Sequence, residues 1–350
     1  MEQKIKDFFF KEWLFWLSIV IFLILFVLTR RMPVITTDEW QMLFLLYMFF
    51  IAIKAIDRSG FLRFVAWKME QGRQIGLKLL LSTYLLSTLF TNDVALLAII
   101  PLTLSLDIED KSTIVALEAI ASNAASLLPN STPQNLYIYW HYQLYFFEFI
   151  EAIAPFSLFF LFIIFLFPFS IDITPKKERI DFCRRQAYPG LFMFLLVVLV
   201  IVKILPLFAA FLVFFYYLLI DKRALGIDYY LLATFLLFFA ISDELAYMFH
   251  DLFIHSHHLF FSSLLLSQII SNVPATLVMA NFTDDWKALL WGVDVGGFGL
   301  LWGSLANLIA YKLYLRHEKK PFLLKFLAYN FAALVIGIVL FEVLKWTGLL

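Results

Sequence analysis

Two short polar runs sit where apolar stretches turn back on themselves. Thr91-Asn92-Asp93 separates residues 79–90 from 94–106, and Ser271-Asn272 separates 259–270 from 273–280. No single arm is long enough, at about 1.5 Å per helical residue, to cross a hydrocarbon layer of ~30 Å. Each pair of arms therefore predicts a re-entrant helical hairpin with a polar tip. At such a tip the second arm presents free N–H groups and the positive end of its dipole, which attract anions. Carbonyls ending the first arm, with Asn and Ser/Thr oxygens, suit a cation such as Na+.

Two longer stretches are interrupted instead. Residues 112–128 run into Pro129-Asn130-Ser131-Thr132-Pro133-Gln134-Asn135 and resume at Leu136. Residues 288–311 hold Gly292, Gly296, Gly297, Gly299 and Gly303, five of the chain's 12 glycines. Proline removes a helix donor and glycine loosens the backbone. Unwound backbone at membrane depth persists only where protein or a wet cavity satisfies it. The candidate ligands of a substrate and an ion are thus Thr91, Asn92 and Asp93; Asn123, Ser131, Thr132, Gln134 and Asn135; Ser271 and Asn272; and Asp294, Gly303, Ser304 and Asn307. The bland alternative is that such residues only glue helices together.

Carboxylates inside a membrane are costly and mark functional sites. Asp93 at the first tip, Asp294 in the glycine-rich break and Glu118 before the first break are candidates for proton or cation coupling. Asp57, Asp243 and Glu244 fall near the ends of apolar runs and are read as interfacial. His250, Asp251, His255, His257 and His258 cluster in one loop without a tight metal-ligand motif. No phosphate-binding loop, dinucleotide fingerprint, nucleophile elbow or zinc-protease motif occurs. Neither a catalytic role nor a bound cofactor is expected beyond Na+ or H+ as coupling ion. Cys183, the single cysteine, excludes an intrachain disulfide.

The elements that must position these residues are membrane helices. Of 350 residues, 63% are hydrophobic, 15% are charged and 42 are Phe, a composition foreign to soluble domains. Lys+Arg and Asp+Glu are 27 each, which leaves no basic footprint for nucleic acid. Single spans are predicted near 13–29, 40–56, 152–171, 188–202, 207–220, 229–245 and 326–341. The first has no cleavage-site pattern and reads as a retained span. The expected fold is an all-α polytopic membrane protein.

The two halves share an order: an acidic-flanked span, a polar-tipped hairpin, then a broken helix. Counting a hairpin as no net crossing, the chain crosses an odd number of times between Trp40 and Tyr229. The second unit is therefore upside down, as in the inverted-topology repeats of secondary transporters. The organisation expected is an N-terminal span (1–36), repeat 1 (37–171), a basic linker (172–187) and repeat 2 (188–350). Of the 27 Lys and Arg, 22 fall on one predicted face, with only Arg30, Arg31, Lys203, Lys287 and Lys345 on the other. The positive-inside rule then puts the N-terminus in the cytoplasm and the C-terminus outside a bacterial-type inner membrane.

The stretch from Thr91-Asn92-Asp93-Val94-Ala95 to Pro101-Leu102 resembles the first hairpin of the ion transporter superfamily. That group holds arsenite permeases, sodium/proton antiporters, citrate-transporter-like proteins and dicarboxylate/sulfate symporters. Ser122-Asn123 through Thr132-Pro133-Gln134-Asn135 is similar to its first broken helix. Ser271-Asn272-Val273-Pro274 resembles the second hairpin, and Gly292-Val293-Asp294 through Ser304 and Asn307 the second broken helix. The resemblance implies a fixed scaffold, a mobile transport body, elevator-type alternating access and often a homodimer. The tips depart from the Ser-Asn-Thr pattern of dicarboxylate symporters, and only one span precedes the first repeat. The expectation is a secondary transporter of a small inorganic or organic anion. A Na+/H+ antiporter and an arsenite or antimonite exporter on the same fold are the alternatives, and a non-transporting membrane scaffold is the rival from another class.

Overall fold

The computed structural model describes residues 13–69, 74–106, 110–166, 181–253, 258–318 and 322–349. Sixteen α-helices and three short 3-10 helices account for the secondary structure of these residues, with no strand among them. The first half runs α1 (Trp13–Thr29), α2 (Thr37–Arg58), α3 (Phe61–Met69), α4 (Ile75–Leu89), α5 (Asn92–Ser105), α6 (Lys111–Ala124), α7 (Pro133–His141) and α8 (Phe146–Leu166). The second runs α9 (Arg184–Ile201), α10 (Phe211–Ile220), α11 (Tyr229–Phe253), α12 (Leu259–Ile270), α13 (Asn272–Ala280), α14 (Trp286–Val295), α15 (Leu305–Glu318) and α16 (Leu323–Trp346). Helices α2, α8, α9, α11 and α16 are long and apolar enough to cross a membrane singly.

Local chemistry sets the ends. Thr36 and Glu39 form a capping box at α2, in which Glu39 Oε2 accepts from Thr36 N at 2.7 Å. Asp110 caps α6 and Asp285 caps α14. The four short helices α4, α5, α12 and α13 pair as hairpins, α4 on α5 and α12 on α13. The packing of the two halves follows one pattern. The first arm of each hairpin lies on the first part of the broken helix that follows it, α4 on α6 and α12 on α14. The second arm lies on the last part of the other half's broken helix, α5 on α15 and α13 on α7.

Close approach explains two of the glycines. A Cβ on Gly292 would stand 2.0 Å from Ser263 Oγ, and one on Gly296 would stand 2.6 Å from Ser267 Cβ. Small residues four apart on α14 thus face small residues four apart on α12, which brings the two backbones together. Trp291, fully buried, donates from Nε1 to Ala152 O at 2.8 Å and fastens α14 to α8.

Several expectations shift. The helix α3, absent from the sequence reading, is too short to register as a span; it carries Arg63 and Lys68 and packs on α5. Residues 207–220 are a 3-10 turn, Leu207–Ala210, followed by the short α10, not one uniform span. Helix α11 continues to Phe253, so Glu244 is not interfacial. It is wholly buried, and among the described residues neither carboxylate oxygen has a hydrogen-bond partner. Asp243, one residue earlier, does face the edge: it pairs with Arg31 at 2.9 Å and accepts from Val34 N. Asp57 is likewise half exposed, 3.7 Å from Lys54. Of the histidine cluster, only the side chain of His258 belongs to the described residues.

Candidate functional site

Each hairpin turns on one residue. Between α4 and α5, Thr91 is extended, with φ 172. Between α12 and α13, Ser271 has φ 78, a left-handed conformation that costs a non-glycine residue roughly 1–3 kcal/mol and concentrates at functional sites. The breaks restart in a matched way. Thr132 Oγ1 accepts from Asn135 N at 3.3 Å, and Ser304 Oγ accepts from Asn307 N at 3.2 Å. Pro133 opens α7, where its missing donor is not needed.

The consequence is that α5, α7, α13 and α15 all begin at one place. Thr91, Asn92 and Asp93, Thr132 and Gln134, Ser271 and Asn272, and Ser304 line a single cavity of about 50 Å³. Its remaining wall is α11, through Leu231, Thr234, Phe235 and Phe238. Each helix start carries the equivalent of about +0.5 charge. Among the described residues no Lys or Arg lines the cavity, and Asp93 is the one ionisable residue that does. Thr91, Asp93, Leu231 and Leu305 also line a vestibule of about 650 Å³, rimmed by Lys54, Asp57, Asp228, Lys312 and Arg316.

The other predicted residues do not line the cavity; they tie the breaks together behind it. Asn123 Nδ2 donates to Gly297 O at 3.1 Å and to Asn307 Oδ1 at 2.9 Å. Asn307 Nδ2 donates in turn to Gly297 O and Leu300 O. Ser131 Oγ donates to Leu128 O at 2.7 Å within the first break. Gly303 N–H closes a turn on Leu300 O. Asp294 is 2% exposed, and its Oδ1 accepts from Gln134 Nε2 at 3.4 Å. Glu118, buried on α6 five residues before Asn123, accepts from Thr103 Oγ1 at 2.5 Å.

Two residues missed in the sequence complete the scaffold. Gln268 on α12 donates from Nε2 to Gly296 O and Phe298 O, at 2.6 and 2.8 Å, and its Oε1 accepts from Leu300 N at 2.8 Å. It holds open backbone that has lost its helical partners. Asn130 does the converse, donating from the first break to Leu89 O at 2.9 Å. A lone amide in the apolar run 259–270 was the available signal for Gln268.

A family model described as citrate transporter matches residues 8–293. The chain is 32% identical to the uncharacterized transporter MJ0456 of Methanocaldococcus jannaschii, over 89% of this chain and 90% of that one. It is 30% identical to the inner membrane protein YbiR of Escherichia coli, over 79% and 80%. A shorter match, 32% identical, covers 27% of this chain and 20% of the silicon efflux transporter LSI3 of rice. Helices able to span a membrane, a polar cavity buried among them and these relatives agree: the chain is a membrane transporter and belongs to the citrate transporter family.

Proposed function

We propose that this transporter moves a small anion of the carboxylate or oxyanion class and couples it to H+ or Na+. The observation that carries this reading is the meeting of four helix N-termini on one cavity free of Lys and Arg. Four such ends supply the equivalent of about +2 charges without a mobile cation, so they favour an anion that must later leave. Asp93 stands among them. Its negative charge opposes an anion unless a proton or Na+ neutralises it, which makes anion binding conditional on cation binding. That conditionality is what coupling requires.

Inverted repeats at 37–171 and 188–350 would account for the matched packing of the two halves. The distribution of ion pairs supports an elevator. Asp110–Lys325 and Lys111–Glu318 join elements around the hairpins, whereas Arg58–Asp221 and Arg31–Asp243 join elements of the α1, α2, α9–α11 framework. Each of these pairs stays within one group, which is the arrangement that sliding of one group on the other would use.

The test is a thermal-shift panel on purified protein, at two pH values, with and without Na+. Citrate, smaller carboxylates, phosphate, sulfate and arsenite are the probes. A shift from one anion class, larger at low pH or with Na+, is the expected outcome. Stabilisation by Na+ alone, with every anion silent, would instead select the Na+/H+ antiporter reading, which Asp93 on the cavity wall would serve. Arsenite as the sole active probe would select the metalloid exporter, a class to which the silicon transporter's name also points.

A further inference from the structure

Asp294 does not line the cavity, yet it is almost wholly enclosed. Its Oδ2 is buried without a hydrogen-bond partner, and so is Asn135 Oδ1. The two side chains interact, together with Gln134 and Ser126. Asn135 Nδ2 is already committed to Ser126 O at 3.3 Å. Two buried acceptors left without a donor on neighbouring side chains are costly, and an ionised carboxylate there would be costlier still.

Among the described residues no positive charge offsets it, and Lys287 of the same helix is exposed. The elements packed on α14 are α12, α13, α7, α8 and α16. Helices α12 and α13 carry no titratable residue. On α7, Tyr137 stacks on His141 and Phe239, and Tyr139 meets Phe149. Glu148 and Glu151 of α8, and Glu342 and Lys345 of α16, are exposed; Lys325 of α16 is held by Asp110. Tyr329 of α16 packs in the apolar cluster, and Glu118 of the neighbouring α6 is engaged by Thr103. One proton on Oδ2 resolves the whole arrangement: it removes the charge and supplies the donor that Asn135 Oδ1 lacks. A sodium ion needs several oxygens and space of its own, and neither the Asp294 carboxylate nor the Asn135 amide borders the cavity.

We propose that Asp294 is the proton-binding site of the transport body, neutral in this state, with Asn135 Oδ1 accepting from its carboxyl group. The proton comes from water by way of the cavity. Gln134 does not carry the proton but ties the acid to the cavity, because it lines the cavity and also donates to Asp294 Oδ1. An anion that takes the Gln134 N–H for itself withdraws a donor from the carboxylate form and so favours protonation. By linkage, protonation then favours the anion. This rests on the anion reading for its use in transport, but not for the protonated state itself.

Infrared difference spectroscopy on nanodisc-embedded protein at neutral pH tests it without any substrate. Wild type minus Asp294→Asn should show the C=O stretch of a protonated carboxyl. In Asn135→Ala that band should move to higher frequency as its acceptor is lost. It should be the same in sodium chloride and choline chloride. If Asp294→Asn does not fold, carboxyl-13C aspartate labelling of the wild type separates aspartate bands from glutamate ones. Absence of the band, an unmoved band in Asn135→Ala, or loss of the band when Na+ replaces choline each overturns the proposal. An ionised Asp294 would leave the anion reading standing, and a silent anion panel would leave the band unaffected.

Discussion

At the residue scale, the asparagines of the tips and breaks fall into two groups by what they touch. Asparagines at tips and breaks stand out in an apolar chain, but nothing in their spacing separates those that line the cavity, such as Asn92 and Asn272, from those that tie backbone behind it, such as Asn123 and Asn307. That distinction depends on which carbonyls the breaks leave unpaired. Glu244 shows the opposite error. Its place near the end of an apolar run suggested an interface, but the helix runs on and α1 packs along it, so the side chain is wholly buried. With both oxygens unpartnered among the described residues, Glu244 is a load on the fold. Replacing Glu244 by Leu should raise stability by roughly 1–3 kcal/mol, the cost of an unsatisfied buried polar group. Thermal unfolding in detergent reads this directly, and a loss of stability of similar size would mean that the carboxyl has a partner in the membrane. Full stability with transport lost would place Glu244 in the transport cycle.

At the element scale the hairpins and breaks were legible because helix length is arithmetic: arms too short to span must turn. Their mutual packing was not, since it rests on fits such as Gly292 and Gly296 against Ser263 and Ser267. Asp110 illustrates a link between elements that pairs distant segments. Burial pushes its carboxyl up, but Lys325 at 2.6 Å and the hydroxyls of Ser112 and Thr113 outweigh that and hold it well below the usual carboxylate range. The contribution of that pair is present above the ordinary carboxylate range and is lost only in strong acid. Other links cross from the framework to the hairpins. Asn281 Nδ2 donates to Ser242 Oγ at 2.6 Å, and Ser242 Oγ donates to Leu277 O at 2.5 Å. These contacts lie at the opposite end of α13 from its tip, while the vestibule opens on the other side of the cavity. In an elevator they must break when the cavity changes sides. Ser242→Ala should therefore shift the balance several-fold away from the present state, each such bond contributing about 0.5–1.5 kcal/mol. The readout is the labelling rate of Leu97→Cys, an exposed vestibule residue, in a Cys183→Ser background. Its labelling should slow by a comparable factor; an unchanged rate would mean that the contact does not gate the movement.

At the scale of the whole molecule, the orientation is an expectation that rests on the positive-inside rule. Of the 22 basic residues assigned to the cytoplasmic face, Lys54, Arg58, Lys312 and Arg316 lie on turns that the described contacts place near one another. Cys183 N–H donates to Ser59 O at 2.9 Å, which sets the start of α9 against the end of α2. Arg58, next to Ser59, pairs with Asp221 at 3.6 Å and brings in the 3-10 turn after α10. Lys54 and Asp57, on the last turns of α2, rim the vestibule together with Lys312 and Arg316 of α15. The side on which Cys183 sits is therefore the side on which the vestibule opens. Cys183 is exposed and is the chain's single cysteine, so the unaltered protein carries its own reporter. A membrane-impermeant maleimide should label inside-out vesicles and leave intact cells unlabelled. Labelling from outside would reverse the orientation that the positive-inside rule assigns, and it would turn an inward-open vestibule into an outward-open one. The cavity, its four helix ends and Asp294 would keep their places in either case, because none of them depends on which face is the cytoplasm.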